Sequence, residues 1–161
     1  MNDHLLRMIE KAKVVTGLAP ITPSTSTPDY VALDGYSKLT VLICVDNGST
    51  VTGSAITLKQ ATDASGSDEK ALAFTKMWAN TDTGADSDLT ETTVTSNTFT
   101  TDTTNAKNLL YQIEVDATDL DMANDFTHVR VGTGNAANMV LCALYVLHGA
   151  KVDPQNFDPT D

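Results

Sequence analysis

The sequence predicts an all-β protein: an antiparallel β-sandwich, jelly-roll-like or Ig-like, with a short N-terminal helical arm. The composition is the first observation, because the 161 residues include 25 Thr, and 17 of the 21 acidic residues are Asp. Thr favours strands and Asp favours turns, while both are mediocre in helix interiors. The second observation is a series of short apolar or alternating runs separated by turn residues, which is typical of a sandwich.

Residues 1–28 are predicted to form the N-terminal arm. Four apolar residues fall at the i, i+3, i+4 and i+7 positions of one helical face, namely Leu5, Met8, Ile9 and Ala12. A helix of about ten residues is not stable alone in water, so it docks either on its own domain or on another subunit. Residues 16–28 contain three prolines and no charged residue, which predicts an extended strap rather than a ladder-forming central strand.

Residues 29–150 are predicted to form the β-sandwich domain. The runs that suggest strands are 30–33, 38–46, 54–61, 92–101, 108–116, 127–131 and 138–148. Residues 108–116 alternate most cleanly, whereas 38–46 and 138–148 are apolar on both sides, which is typical of strands buried on both faces. Residues 69–79 fit a short helix as well as a strand.

Turn and loop signals separate these runs. Asn47-Gly48 is a strong turn signal, 80–90 is a polar loop, and 117–125 is an acidic turn region. Residues 151–161, with two prolines, are predicted to be a frayed or extended C-terminal tail.

The formal net charge of -11 argues against two classes of partner. Binding to nucleic acid or to an anionic membrane needs clustered basic residues, whereas the 8 Lys and 2 Arg are scattered. The first fifteen residues lack a continuous apolar core, and no 18-residue apolar stretch exists, so we expect a soluble protein made in the cytoplasm.

Cys44 and Cys142 are the two cysteines, and each lies inside an apolar run. We predict two buried free thiols. A disulfide is conceivable if the two runs form adjacent strands, but the sequence does not decide whether they pair.

No catalytic constellation or cofactor motif is found. The three histidines lie far apart without ligands at zinc spacing, and no nucleophile elbow, phosphate-binding loop or dinucleotide fingerprint occurs. A weak calcium candidate is the acidic turn, represented by Asp119 and Asp121, although Asp is also the usual cap of short helical turns. We therefore predict no enzyme activity, no cofactor and no dedicated metal site.

Four stretches, taken in order, carry a resemblance to a known family. The first is an acidic-Gly-aromatic step with an apolar strand, at Val31–Ser37 and Leu39–Val45, and the second is a strand ending in Gln before an acidic Ser-rich loop, at Ile56–Ser65. The third is an aromatic-x-x-Val-Arg-Val strand at Phe126–Val131, and the fourth is an apolar strand closing in Leu-x-Gly at Val140–Gly149. In this order, over about residues 14–153, the chain resembles small virion proteins encoded in the head-gene clusters of tailed bacteriophages.

The resemblance implies a non-enzymatic structural role on a virus particle. The leading hypothesis is a capsid decoration or cement protein that binds the major capsid protein as a homo-oligomer on the capsid surface. The contact residues would be the apolar residues of the arm, namely Leu5, Met8, Ile9, Leu18 and Ile21. The alternatives are a neck or tail ring protein and, in another class, a carbohydrate- or calcium-binding adhesion module.

Overall fold

The computed structural model describes residues 8–23 and 27–150, without the side chains of Ile9 and Glu10. Within this part of the chain, one short helix, α1 (Met8–Lys11), precedes eleven strands. The strands are β1 (Ala12–Ile21), β2 (Val31–Ala32), β3 (Lys38–Asn47), β4 (Ala55–Ala61), β5 (Lys70–Ala71), β6 (Lys76–Asn80), β7 (Thr90–Thr93), β8 (Thr98–Thr100), β9 (Asn108–Asp116), β10 (His128–Thr133) and β11 (Met139–His148).

The strands form two sheets. The six-stranded sheet has the order β1-β11-β3-β9-β6-β7, and the five-stranded sheet has the order β2-β10-β4-β5, with β8 also paired to β4. Every strand pairing is antiparallel. The prediction of an all-β antiparallel fold is confirmed.

One hydrophobic core lies between the two sheets. Val41 and Ile43 of β3 face it from the six-stranded sheet, while Leu58 of β4 and Val129 of β10 face it from the other sheet. All four side chains are fully buried. Side chains alternate in direction along a strand, so the intervening residues of each strand point to the outer faces.

Residues 16–21 of the predicted strap belong to β1, which pairs in a ladder as an edge strand of the six-stranded sheet and not as a central strand. Strand β1 pairs with β11 from Ala12 opposite His148 to Ile21 opposite Leu141, with two shifts of register. Proline cannot donate to a ladder but is tolerated at an edge or an irregularity, and Pro20 lies within the second register shift.

The predicted ten-residue helical arm is not shown. Helix α1 spans four residues before the strand begins at Ala12, and residues 1–7 lie outside the described residues. Of the four residues of the predicted helical face, Ala12 lies in β1, where it pairs with His148 of β11. Tertiary pairing of this kind commonly overrides local helix propensity.

The remaining differences concern short elements. Residues 69–79, ambiguous in the sequence, contribute two strands, β5 and β6, rather than a helix. The Thr-rich run 92–101 falls on two short strands, β7 and β8. The acidic turn 117–125 contains two single 3₁₀ turns, Ala117–Asp119 and Met122–Asn124.

Tyr145 of β11 connects the two sheets through the core. Its hydroxyl accepts a hydrogen bond from the backbone N–H of Val131 in β10 and donates one to the carbonyl of Asp29, both at 3.0 Å. The Tyr145 side chain is 0% exposed and Val131 is 1% exposed, so the Val131 N–H depends on this hydroxyl rather than on water, whereas Asp29 is an exposed residue.

We expect Tyr145→Phe to lower the free energy of unfolding by about 1–3 kcal/mol, since it leaves the buried N–H of Val131 without a hydrogen-bond acceptor. Tyr111→Phe is the matched comparison. Its hydroxyl accepts a hydrogen bond from Asp102, a half-buried residue whose N–H can bind water instead. Urea unfolding of both variants measures the difference, and an equal or larger loss in Tyr111→Phe would contradict the role of Tyr145.

A pH dependence follows from the same residue. Burial raises the pKa of Tyr145 above its ordinary value of 10.0, so the folded protein keeps the phenol neutral while the unfolded chain ionises. Its contribution to stability is present below about pH 10 and is lost as the pH rises further. We therefore expect a shallower decline of unfolding free energy above pH 10 in Tyr145→Phe than in the wild type, measured by urea unfolding.

Candidate functional site

The outer face of the six-stranded sheet carries a continuous set of apolar side chains, which we call the apolar band. The band runs across strands β1, β11, β3 and β9, which are neighbours in the sheet. Its members are Val14, Leu42, Cys44, Leu110, Val140, Cys142 and Leu144.

Strand register brings these side chains together. Leu144 lies opposite Leu42, and Cys142 lies opposite Cys44 in the β11–β3 pairing. On the other side of β3, Leu110 of β9 lies opposite Cys44. Directly opposed residues in an antiparallel pair place their side chains on the same face within contact distance. The band is therefore one surface rather than scattered apolar residues.

The band is open in the single chain. Val14 and Val140 are 49% and 42% exposed, Cys44 is also exposed, and the other members are half-buried. The prediction that 38–46 and 138–148 are buried on both faces holds for Thr40 and Val146, which point to the outer face and are 8% and 5% exposed. It is wrong for Cys44 and Val140, which are exposed on that face. The five-stranded sheet covers the inner side of β3 and β11.

A shallow depression of about 480 Å³ lies at one end of the band. Its lining includes Pro20, Cys44, Leu110, Val140 and Cys142. Contiguous exposed apolar surface of this kind usually marks a contact with another molecule.

Charged groups lie at the ends of the band rather than within it. At one end, Lys38 forms an ion pair with Glu114 at 2.5 Å, and the Thr40 hydroxyl lies 3.1 Å from His148 Nε2. At the other end, Asp46 is exposed next to Val140. The band is thus a neutral surface on a chain with a formal net charge of -11.

The outer face of the five-stranded sheet is different, because a cluster around Glu69 occupies it. The Glu69 carboxylate accepts hydrogen bonds from Lys59 and the Tyr30 hydroxyl, and Arg130 Nη2 lies 2.6 Å from it. The Arg130 guanidinium also stacks over the Tyr30 ring, with 4.8 Å between its carbon and the ring centroid. This face is therefore polar and its charged groups pair around Glu69, while the buried Arg130 Nε and His128 Nε2 have no hydrogen-bond partner within the described residues.

The carboxylates of the calcium candidates have partners within the protein. Asp119 accepts the backbone N–H of Asp116 at 2.9 Å, as a cap of the first 3₁₀ turn. Asp121 forms an ion pair with Lys70 and accepts the side-chain amide of Asn124. Among residues 8–23 and 27–150, no group of three or more His, Cys, Asp or Glu side chains is placed to hold a metal ion.

The predicted contact residues of the arm fall into different environments. Leu5 lies outside the described residues, as does the side chain of Ile9, while Met8 is 60% exposed. Leu18 belongs to the hydrophobic core and Ile21 packs against it. Leu18 is buried in the single chain and Ile21 is half-buried, and a contact of these residues with another chain stays a prediction.

The predicted buried thiols are partly corrected. Both cysteines are free, as predicted, but Cys44 is exposed and Cys142 is half-buried. The sequence signal for the five band members in β3 and β11 is the apolar character of both sides of 38–46 and 138–148, which predicts burial on both faces. Leu110 shares its side of the alternating run 108–116 with Gln112 and Glu114, so the pattern gives no sign that it belongs to the band.

Comparisons with known proteins give one solved structure. The fold is similar to that of the SPBc2 prophage-derived protein YomS, with a TM-score of 0.46 and 19% sequence identity. The alignment covers 84% of this chain and 92% of that chain. No protein-family model matches the chain, and no curated protein matches it. None of the helical segments in the described part of the chain has the length and apolar character needed to cross a lipid bilayer.

The Glu69 cluster predicts an acid-dependent contribution to stability. Burial alone raises the pKa of Glu69, but the hydrogen bonds from Lys59 and Tyr30 and the charge of Arg130 outweigh it, so the pKa lies below its ordinary 4.5. The stabilisation is present above about pH 4.5 and is lost as the pH falls. We expect Glu69→Gln to be less stable than the wild type at pH 7 and to lose less stability on acidification.

Urea unfolding at pH 7 and pH 3 checks this expectation. Glu91→Gln is the control, because its ion pair with Lys76 is about half exposed and exposed pairs contribute little. Equal losses at pH 7 in the two variants would show that the cluster adds no stability.

Proposed function

We propose that this protein is a non-enzymatic structural protein of a tailed-bacteriophage virion, specifically a capsid decoration or cement protein. In this proposal it binds the lattice of the major capsid protein through the apolar band and stabilises the head. The observation that carries the proposal is the open apolar band on a sheet whose inner face is already fully packed.

The band favours association with a protein surface. Removing apolar surface from water contributes roughly 25 cal/mol per Å², and the band presents several adjacent side chains on a regular sheet. A sheet that is fixed by its core loses little conformational freedom on binding, which preserves more of that gain. Repeated copies on a lattice also let individually weak contacts stabilise the particle.

Charge favours a protein partner over nucleic acid. The chain has 21 acidic and 10 basic residues, so its surface repels phosphate backbones. The neutral band is the part of the surface where another protein can approach without that repulsion. Acidic loops around it, such as 80–90, remain in solvent and oppose non-specific aggregation.

The order of the four sequence stretches supports the virion assignment. Those stretches correspond to β2 with β3, to β4 and the loop after it, to β10, and to β11. They therefore lie on strands of both sheets rather than on one loop. Two of the strands, β3 and β11, carry most of the apolar band.

Binding to capsids tests the proposal. We expect Val140→Lys to reduce occupancy on capsids lacking the protein by at least about tenfold, because it places a charge in the contact. Met122→Lys is the matched control, since Met122 is 46% exposed and lies outside the band, compared with 42% for Val140. Co-sedimentation with capsids measures both, and equal binding of the two variants would remove the band from the proposal.

Copy number in purified particles separates a head protein from a neck or tail ring protein. A decoration protein is expected in hundreds of copies, as the number of capsid sites requires. Quantitative mass spectrometry against the major capsid protein gives this number. A dozen copies or fewer would contradict the decoration role and favour a ring protein.

A further inference from the structure

Cys44 and Cys142 form a pair of facing thiols on the outer face of the six-stranded sheet. They lie directly opposite each other in the pairing of β3 with β11. Opposed residues in antiparallel strands have Cα atoms about 4.5 or about 5.5 Å apart, depending on the type of pair. Both values lie within the range of about 4.4–6.8 Å that disulfides occupy.

We propose that Cys44 and Cys142 are a reversible redox pair that forms a disulfide across the two strands when a small disulfide oxidant is present. The bridge joins the strands that carry the apolar band. Its formation requires no change of strand register, because the two residues are already partners.

The exchange is balanced with glutathione disulfide as oxidant. The thiolate of Cys44 attacks one sulfur of glutathione disulfide, forms a mixed disulfide and releases one glutathione. The thiolate of Cys142 then attacks the Cys44 sulfur and releases the second glutathione. The protein loses two electrons and two protons, and these appear in the two reduced glutathione molecules.

Exposure assigns the order of attack. Cys44 is exposed beside the depression in the band, so an oxidant of the size of glutathione reaches it first. Cys142 is half-buried and directly opposite, which suits it to resolve the mixed disulfide. An intramolecular partner at this distance reacts at high effective concentration, so the mixed disulfide does not accumulate.

The local environment keeps the pair reduced until an oxidant is supplied. Cys44 is exposed on one side only, and partial desolvation by the surrounding sheet, with the neighbouring Cys142, raises the pKa of its thiol above the ordinary 9.0. The thiolate is the attacking form, so exchange is slow near neutral pH and accelerates in alkali. A reducing compartment therefore preserves the dithiol, and an oxidising one bridges it.

The test treats purified protein with glutathione disulfide at pH 8. The expected product is a monomer that has lost two hydrogens by intact mass and has no titratable thiol, and dithiothreitol restores both thiols. The bridge closes a loop of about 100 residues, so we expect the Tm to rise by roughly 5 °C or more.

Two single variants establish the order of attack. Cys142→Ser should retain a stable glutathione adduct on Cys44, because no resolving thiol remains. Cys44→Ser should react more slowly, because Cys142 is half-buried. A persistent glutathione adduct on the wild type, or disulfide-linked dimers as its main product, would overturn the proposal.

The redox pair does not rest on the proposed function, and oxidation of Val140→Lys by glutathione disulfide tests it separately from capsid binding. If copies of the chain cover the band in solution, the oxidant does not reach the thiols of the wild type. The bridge then forms only in the variant, whose added charge weakens that contact, and this result supports the redox pair. If neither protein forms the bridge, the redox pair is wrong while the capsid-binding result stands.

Discussion

The hydroxyl and ring of Tyr145 fix the relative positions of the two sheets and of the first strand. The hydroxyl joins β11 to Val131 and to the carbonyl of Asp29, and the ring packs against Gly17 of β1. A Cβ atom at position 17 would lie 2.3 Å from the ring, so only glycine allows this approach. The Asp29 N–H also donates to the Gly17 carbonyl at 2.8 Å, which brings the chain before β2 against the same point.

This anchoring leaves two outer faces with opposite chemistry. On the five-stranded sheet, Glu69 gathers Lys59, Tyr30 and Arg130 into one polar cluster. On the six-stranded sheet, the apolar band leaves Val14, Cys44 and Val140 exposed. Its exposed area is available for assembly, and the thiols within it would be hidden wherever the band is covered.

Sequence reasoning located the site only in part. It identified Cys44 and Cys142 and the apolar character of their strands, because residue type is local information. It predicted Leu18 and Ile21 as contacts with another chain, which stays a prediction, while pairing of β1 with β11 places Leu18 in the core and Ile21 against it. It left Asp119 open between a calcium ligand and a turn cap, and in the structure its carboxylate caps a 3₁₀ turn.

The sequence by itself determined the all-β class and the positions of the long strands, because alternation with period two and turn residues act over a few positions. Strands β3, β9 and β11 lie within a residue or two of the runs 38–46, 108–116 and 138–148. Only the tertiary structure decided that residues 12–21 join a sheet and that the outer side of β3 and β11 stays open. Both depend on which distant segment lies alongside, and an apolar strand has the same sequence whether its second face meets its own core or another molecule.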